Sequence, residues 1–279
     1  MNHLYAPVIF GLAASLCWGS GDFSGGLASR RANVGSVVLT NYAVGLVLLV
    51  ALALIGKEPV PALADLLWGG LAGVAGVIGL LSFYAALARG KMGIAAPISA
   101  VLTAALPVLF SAFTAGVPAP LQLAGFALAG LAIGLISWPQ RTTEPPTGIG
   151  LALLAGCGFG CFFILISRVH PATTYWSLAA ARCTSIAVLL PVMRLRRKPL
   201  LPPMTGAPLV VLAGILDALG NVLFVFAAHS GRLDIAAILS SLYPAATVGL
   251  SVLVLRERVT RVQTIGVLLV LLAIPVISA

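Results

Sequence analysis

Charge is what this chain has least of. Only 8% of its 279 residues are Asp, Glu, Lys or Arg, against about 25% in a soluble domain. So few charges cannot cover a water-facing surface, which excludes an ordinary globular domain. The net charge of +9 sits mostly in short loops, where it reads as a topology signal and not as a nucleic-acid footprint, so no nucleic-acid partner is expected. Histidine and cysteine are scarce too, at three and four residues. Cys157 and Cys161 stand four apart, but no His or carboxylate shares their segment, so neither a metal centre nor a cofactor is expected. An enzyme acting on lipid-linked substrates within the membrane would need a nucleophile or a metal. No His-Glu-x-x-His run and no Ser–His pairing lies in an apolar segment, and no glycine-rich phosphate loop occurs anywhere. Any energy the chain uses must then come from an ion or solute gradient. Aromatic residues make up only 7%, which favours a small polar metabolite over a drug held in an aromatic cage.

What the chain has in quantity is apolar length. The hydrophobic fraction is 60% and the mean hydropathy is +1.12, the composition of an all-α integral membrane protein. Apolar segments long enough to cross a bilayer fall near residues 7–28, 34–55, 66–88, 92–115 and 121–138. A linker at 139–147 carries the adjacent Pro145 and Pro146, and a second set follows at 148–167, 173–193, 206–228, 235–255 and 262–277. That predicts ten transmembrane helices in two sets of five, with domains at 1–140 and 146–279. The stretch before the first span has neither Lys nor Arg, which argues against a cleaved secretory signal. Cys17 follows Leu16 and not a small residue, which argues against a lipoprotein cleavage site. Trp68, Trp138 and Trp176 fall near span ends and read as interfacial belt residues, whereas Trp18 lies deeper.

The two sets repeat one another. Gly90-Lys91-Met92-Gly93-Ile94-Ala95-Ala96-Pro97-Ile98-Ser99 aligns with Gly231-Arg232-Leu233-Asp234-Ile235-Ala236-Ala237-Ile238-Leu239-Ser240 at an offset of about 141. The same offset carries Gln122 onto Gln263, Gly125 onto Gly266 and Gly79 onto Gly220. Nearer the N-terminus an offset of about 139 sets Gly11, Gly19 and Gly21 over Gly150, Gly158 and Gly160. An odd number of helices per half makes the second half enter from the opposite face, so the repeat is expected to be inverted, with the working site between the halves. Small residues four apart, among them Gly69 and Gly73, mark tight helix packing.

Three ionisable residues lie well inside the spans: Asp22, Arg182 and Asp217. A charge at bilayer depth costs at least about 2.5–3.5 kcal/mol on insertion scales, so each needs a partner or a wet cavity. Asp22 shares a helical stripe with Trp18 and Ser15, and Asp217 has Asn221 one turn on. The repeat sets Arg182 against Asn41 and Asp217 against Gly76. Two carboxylates and one guanidinium leave a surplus negative charge. One Asp is therefore expected to pair with Arg182, while the other binds a proton during transport; a purely structural Arg–Asp pair is the competing reading. Tyr243-Pro244 offers a kink in the ninth span that turns a phenol inward, with Ser240 beside it. The candidate substrate and coupling residues are thus Asp22, Trp18, Asn41, Arg182, Asp217, Asn221, Ser240 and Tyr243. A paired Arg182 suits a zwitterion, a free one an anion, and an unpaired Asp a cation.

Motifs at three places resemble the EamA-like members of the drug/metabolite transporter superfamily. They are Leu16-Cys17-Trp18-Gly19-Ser20, Leu239-Ser240-Ser241-Leu242-Tyr243-Pro244, and Leu255-Arg256-Glu257-Arg258-Val259-Thr260 leading to Gln263-Thr264-Ile265-Gly266. The family's Arg in the second helix of a repeat matches Arg182, where the first half has Asn41; the closing Glu matches Glu257, where the first half has Gly116. The resemblance spans essentially the whole chain. It implies a secondary transporter, exporter or exchanger, that moves a small metabolite such as an amino acid across the cytoplasmic membrane by alternating access. Its partners would be a small-molecule substrate, the lipid bilayer and protons. A flippase for a lipid or lipid-linked sugar is the alternative. Loop charge and resemblance disagree on orientation. Twelve loop cations, including Arg30, Arg31 and the cluster at 194–198, lie on the face opposite the termini, and three, Lys57, Arg168 and Arg232, on the terminal face. The positive-inside rule then puts both termini outside, whereas relatives are usually drawn with cytoplasmic termini.

Overall fold

The computed structural model describes residues 5–88, 92–136, 148–255 and 260–278. Their regular structure is helical, with no strand among the described residues. The first half holds α1 (Ala6–Ser29), α2 (Val34–Ile55), α3 (Leu63–Ala88), α4 (Met92–Thr114) and α5 (Pro120–Ile136). The second holds α6 (Ile149–Ile166), α7 (Thr174–Leu195), α8 (Ala207–Ser230), α9 (Leu233–Ser240), α10 (Tyr243–Leu255) and α11 (Arg261–Ser278). The expected linker at 139–147, Trp138, Gly90-Lys91, and Arg256 to Val259 of the closing motif lie outside the described residues.

One expected span differs. The segment 235–255 is not one helix but two, α9 and α10, separated at Ser241 and Leu242. Pro244 has no N–H to donate and occupies the first turn of α10, where none is needed. Its counterpart in the first half, α4, runs unbroken. Among the described residues five helices are both long and apolar enough to cross a bilayer: α2, α3, α6, and the segments Pro171–Leu195 and Met204–Ser230 that contain α7 and α8. Segments of α4, α5, α9 to α10 and α11 are apolar but shorter.

The halves interlock. α1 packs on α8, and α3 on α6; α3 lies on α7 as α2 does on α8; α4 meets α6 as α1 meets α9 and α10; and α5 lies along α11. Each of these contacts thus has a counterpart at the equivalent place in the other half. Glycine makes one of these approaches possible. A Cβ on Gly73 would sit 2.2 Å from the Ala181 carbonyl oxygen, and Ser185 Oγ donates back to the Gly73 carbonyl at 2.8 Å. The shared glutamines now have a reason. Gln122 Oε1 accepts from Ala119 N at 3.3 Å, and Gln263 Oε1 from Thr260 N at 3.0 Å, each closing the N-terminus of the last helix of its half. In the second half Thr260 Oγ1 completes a capping box by accepting from Gln263 N.

On the terminal face the halves are also tied through loops. Glu58, after α2, accepts from the backbone N–H groups of Tyr175 and Trp176 at 3.0 and 3.1 Å. Asp65 accepts from His170 N at 2.9 Å and from Thr173 Oγ1 at 3.0 Å. Two carboxylates of the first half therefore hold the N-terminus of α7, where the free amides and the helix dipole favour negative charge. Arg232 pairs with Asp234 at 2.7 Å and donates to the Gly116 carbonyl at 2.9 Å.

Candidate functional site

Eight helices from both halves enclose a central cavity. Its walls are Trp18 and Asp22 of α1, Tyr42 of α2, Gly76 and Leu80 of α3, Thr103 of α4, Phe159, Phe162 and Phe163 of α6, Arg182 of α7, Asp217 and Asn221 of α8, and Tyr243 of α10. The cavity volume is about 50 Å³, room for a few water molecules.

The charged centre is built by consecutive helices. Arg182 Nη2 stands 2.8 Å from Asp217 Oδ2, and the guanidinium carbon lies 4.8 Å from the Tyr42 ring centroid. Asn221, one turn beyond Asp217, donates its amide to the Asp217 main-chain oxygen and to Oδ1, the latter at 3.3 Å. The ion pair and the cation–π contact hold the guanidinium, while the Asn221 amide holds its carboxylate partner. Asp22 is different. It is half-buried, lines the cavity, interacts electrostatically with Asp217, and makes no hydrogen bond or ion pair with any described residue.

Aromatic rings supply much of the wall. Trp18 stacks on Phe163 with centroids 5.2 Å apart and 16° between planes, and Phe163 stacks in turn on Phe224 at 4.0 Å. Phe83 stands edge-on to Phe159 and to Tyr243. The low overall aromatic content is therefore misleading, because six of the lining side chains are aromatic: Trp18, Tyr42, Phe159, Phe162, Phe163 and Tyr243.

Of the residues expected from sequence, Trp18, Asp22, Arg182, Asp217, Asn221 and Tyr243 come together here. Asn41 and Ser240 do not line the cavity. Asn41 is fully buried where α2 and α8 nearly touch, a Cβ on Gly214 falling 2.8 Å from the Asn41 carbonyl. Repeat equivalence places it opposite Arg182, yet its side-chain amide is buried away from the cavity and makes no hydrogen bond among the described residues. Ser240 is fully buried, and its hydroxyl donates to the Gly11 carbonyl at 3.3 Å, joining α9 to α1. Tyr42 and the three phenylalanines of α6 carry no signal in an apolar segment, although Tyr42 stands beside the singled-out Asn41. Cys157 and Cys161 are exposed on α6, and no group of three potential metal ligands occurs among the described residues.

Comparison with known proteins agrees with this doubling. A protein of Methanocaldococcus jannaschii, described as uncharacterized, is 27% identical over 130 residues, which are 47% of this chain and 93% of that protein. A solved crystal structure has the same fold over 97% of this chain and 96% of its own, with a TM-score of 0.74 at 19% identity. The model of the EamA-like transporter family matches twice, at residues 6–138 and 146–279. Two matched repeats, interlocked around a cavity with a buried ion pair, identify a multi-pass membrane protein of the drug/metabolite transporter superfamily: the chain belongs to the EamA-like transporter family.

Proposed function

We propose that the protein is a secondary transporter that moves a small metabolite across the cytoplasmic membrane by alternating access, as an exporter or exchanger. The observation that carries this reading is a single cavity walled by side chains of both halves, with Asp22 from the first and Arg182, Asp217 and Asn221 from the second. A site shared between repeats changes shape when one repeat rocks against the other. In this reading ten helices span the bilayer as two inverted repeats, bounded at 1–140 and 146–279, and α9 with α10 forms one broken span whose break lies beside the site. Discontinuous helices commonly build transporter sites at the midplane. The narrow cavity supports a contracted conformation, so substrate enters when the halves part.

Asp217 is engaged with Arg182 at 2.8 Å, which leaves Asp22 as the carboxylate for coupling. An ionised carboxylate within a bilayer is costly without a counter-charge, and a proton supplies one. Trp18, Tyr243 and Asn221 shape the space around it. The test is flux through purified protein in liposomes, across a metabolite panel, with and without an imposed pH gradient. Gradient-driven uptake lost in Asp22→Asn, with solute exchange retained, supports proton coupling at Asp22. Unaltered gradient-driven uptake in that variant removes the coupling role, and absence of flux for every water-soluble compound removes the transporter reading.

A further inference from the structure

The cavity's charges do not balance, and the imbalance specifies what it binds. Arg182 and Asp217 neutralise one another at 2.8 Å, and Arg182 is the only cation in the lining among the described residues. Asp22 is left over, with no hydrogen bond or ion pair to any described residue. An anion would meet a net negative wall. A zwitterion would have to take Arg182 from a carboxylate that also holds Asn221. Only a cation finds an unoccupied partner.

The walls specify the rest of the ligand. Trp18 lies one helical turn before Asp22, its ring stacked on Phe163 at 5.2 Å, and Phe159 and Tyr243 line the same space. The protein already shows how such a wall receives positive charge, since the Arg182 guanidinium lies 4.8 Å from the Tyr42 ring centroid. Aromatic faces attract ammonium and guanidinium groups and also bury apolar surface.

We propose that this cavity binds a singly charged organic cation with an apolar or aromatic body, its nitrogen facing Asp22 and its body against Trp18 and Phe163. The proposal rests on the transporter reading, because entry needs a wider conformation than the one described. The test is calorimetric titration of the purified full-length protein with benzyltrimethylammonium, with zwitterionic phenylalanine as the comparison. Binding of the quaternary ammonium is expected, about tenfold or more weaker in Asp22→Asn and largely restored in Asp22→Glu, with phenylalanine binding at least about tenfold weaker than the ammonium. Equal affinity for both ligands, or wild-type affinity in a folded Asp22→Asn protein, overturns it. Liposome flux separates the two ideas. Transport of zwitterions or anions without ammonium binding removes the cation site and leaves the transporter. Ammonium binding without flux of any compound under any gradient removes the transporter and leaves the site.

Discussion

The two halves share a helix plan but divide the charges unequally. The second half contributes a complete pair, Arg182 with Asp217, on consecutive helices. At the equivalent places the first half has Asn41 and Gly76, and it contributes instead the single unpaired Asp22. A buried pair is expensive to break and does little once made. An unpaired carboxylate is poor for stability and available for chemistry. The comparison teaches that duplication supplied the frame while divergence separated a fixed electrostatic centre from a free one.

Breaking the pair tests this most strongly. Arg182→Gln leaves Asp217 buried beside Asp22 without a cation, and a loss of about 3–5 kcal/mol in stability is expected. The check is equilibrium unfolding in detergent, with Arg182→Gln/Asp217→Asn recovering most of the loss. Asp22→Asn removes an uncompensated charge and is expected to leave stability unchanged or higher. Equal destabilisation by Asp22→Asn and Arg182→Gln would erase the distinction between the halves.

A smaller effect is expected where the halves touch. Gly73→Ala places a Cβ 2.2 Å from the Ala181 carbonyl oxygen, a backbone atom that cannot swing aside, at an expected cost of about 1–3 kcal/mol. Thermal unfolding in detergent reads it. The clasp on the terminal face comes next. Glu58→Gln with Asp65→Asn removes both charges from the N-terminus of α7, at a cost of about 1–2 kcal/mol, seen as faster hydrogen exchange at the amides of His170, Tyr175 and Trp176. The smallest change has the opposite sign. Gly130 of α5 has nothing within 4 Å of where a Cβ would be, so Gly130→Ala is expected to stabilise by about 0.5–1 kcal/mol, read in the same thermal assay.

The helical architecture was legible because apolar length and the glycine register survive without any tertiary knowledge. Asp22, Arg182 and Asp217 were legible for a related reason: an ionisable group in an apolar segment is anomalous on its own. Asn221 and Tyr243 followed from spacing and from a neighbouring proline. The aromatic wall was not legible, since Phe159, Phe162 and Phe163 look like any lipid-facing phenylalanine until α6 is seen to turn the first two toward α3 and the third toward α1. Asn41 and Ser240 lie off the cavity wall for the opposite reason. Equivalence in a repeat fixes where a backbone lies but not how far a side chain reaches, and an amide or hydroxyl is easily absorbed between two packed helices. The break between α9 and α10 was half visible, as a kink at Tyr243-Pro244 and not as two helices.

The placement of Arg182 and Asp217 on consecutive helices bears on how the chain reaches the membrane. α7 and α8 are joined by a short loop, so they can leave the ribosome's exit machinery as a hairpin whose two charges already cancel. Neither residue then has to cross the hydrocarbon alone. Asp22 has no such companion in α1, and must wait for α8 before the rest of its surroundings exist. Biogenesis therefore has a vulnerable interval in the first half and a protected one in the second. A truncated chain ending in the loop after α7 would strand Arg182 in lipid, and is the fragment most exposed to rejection by the insertion apparatus.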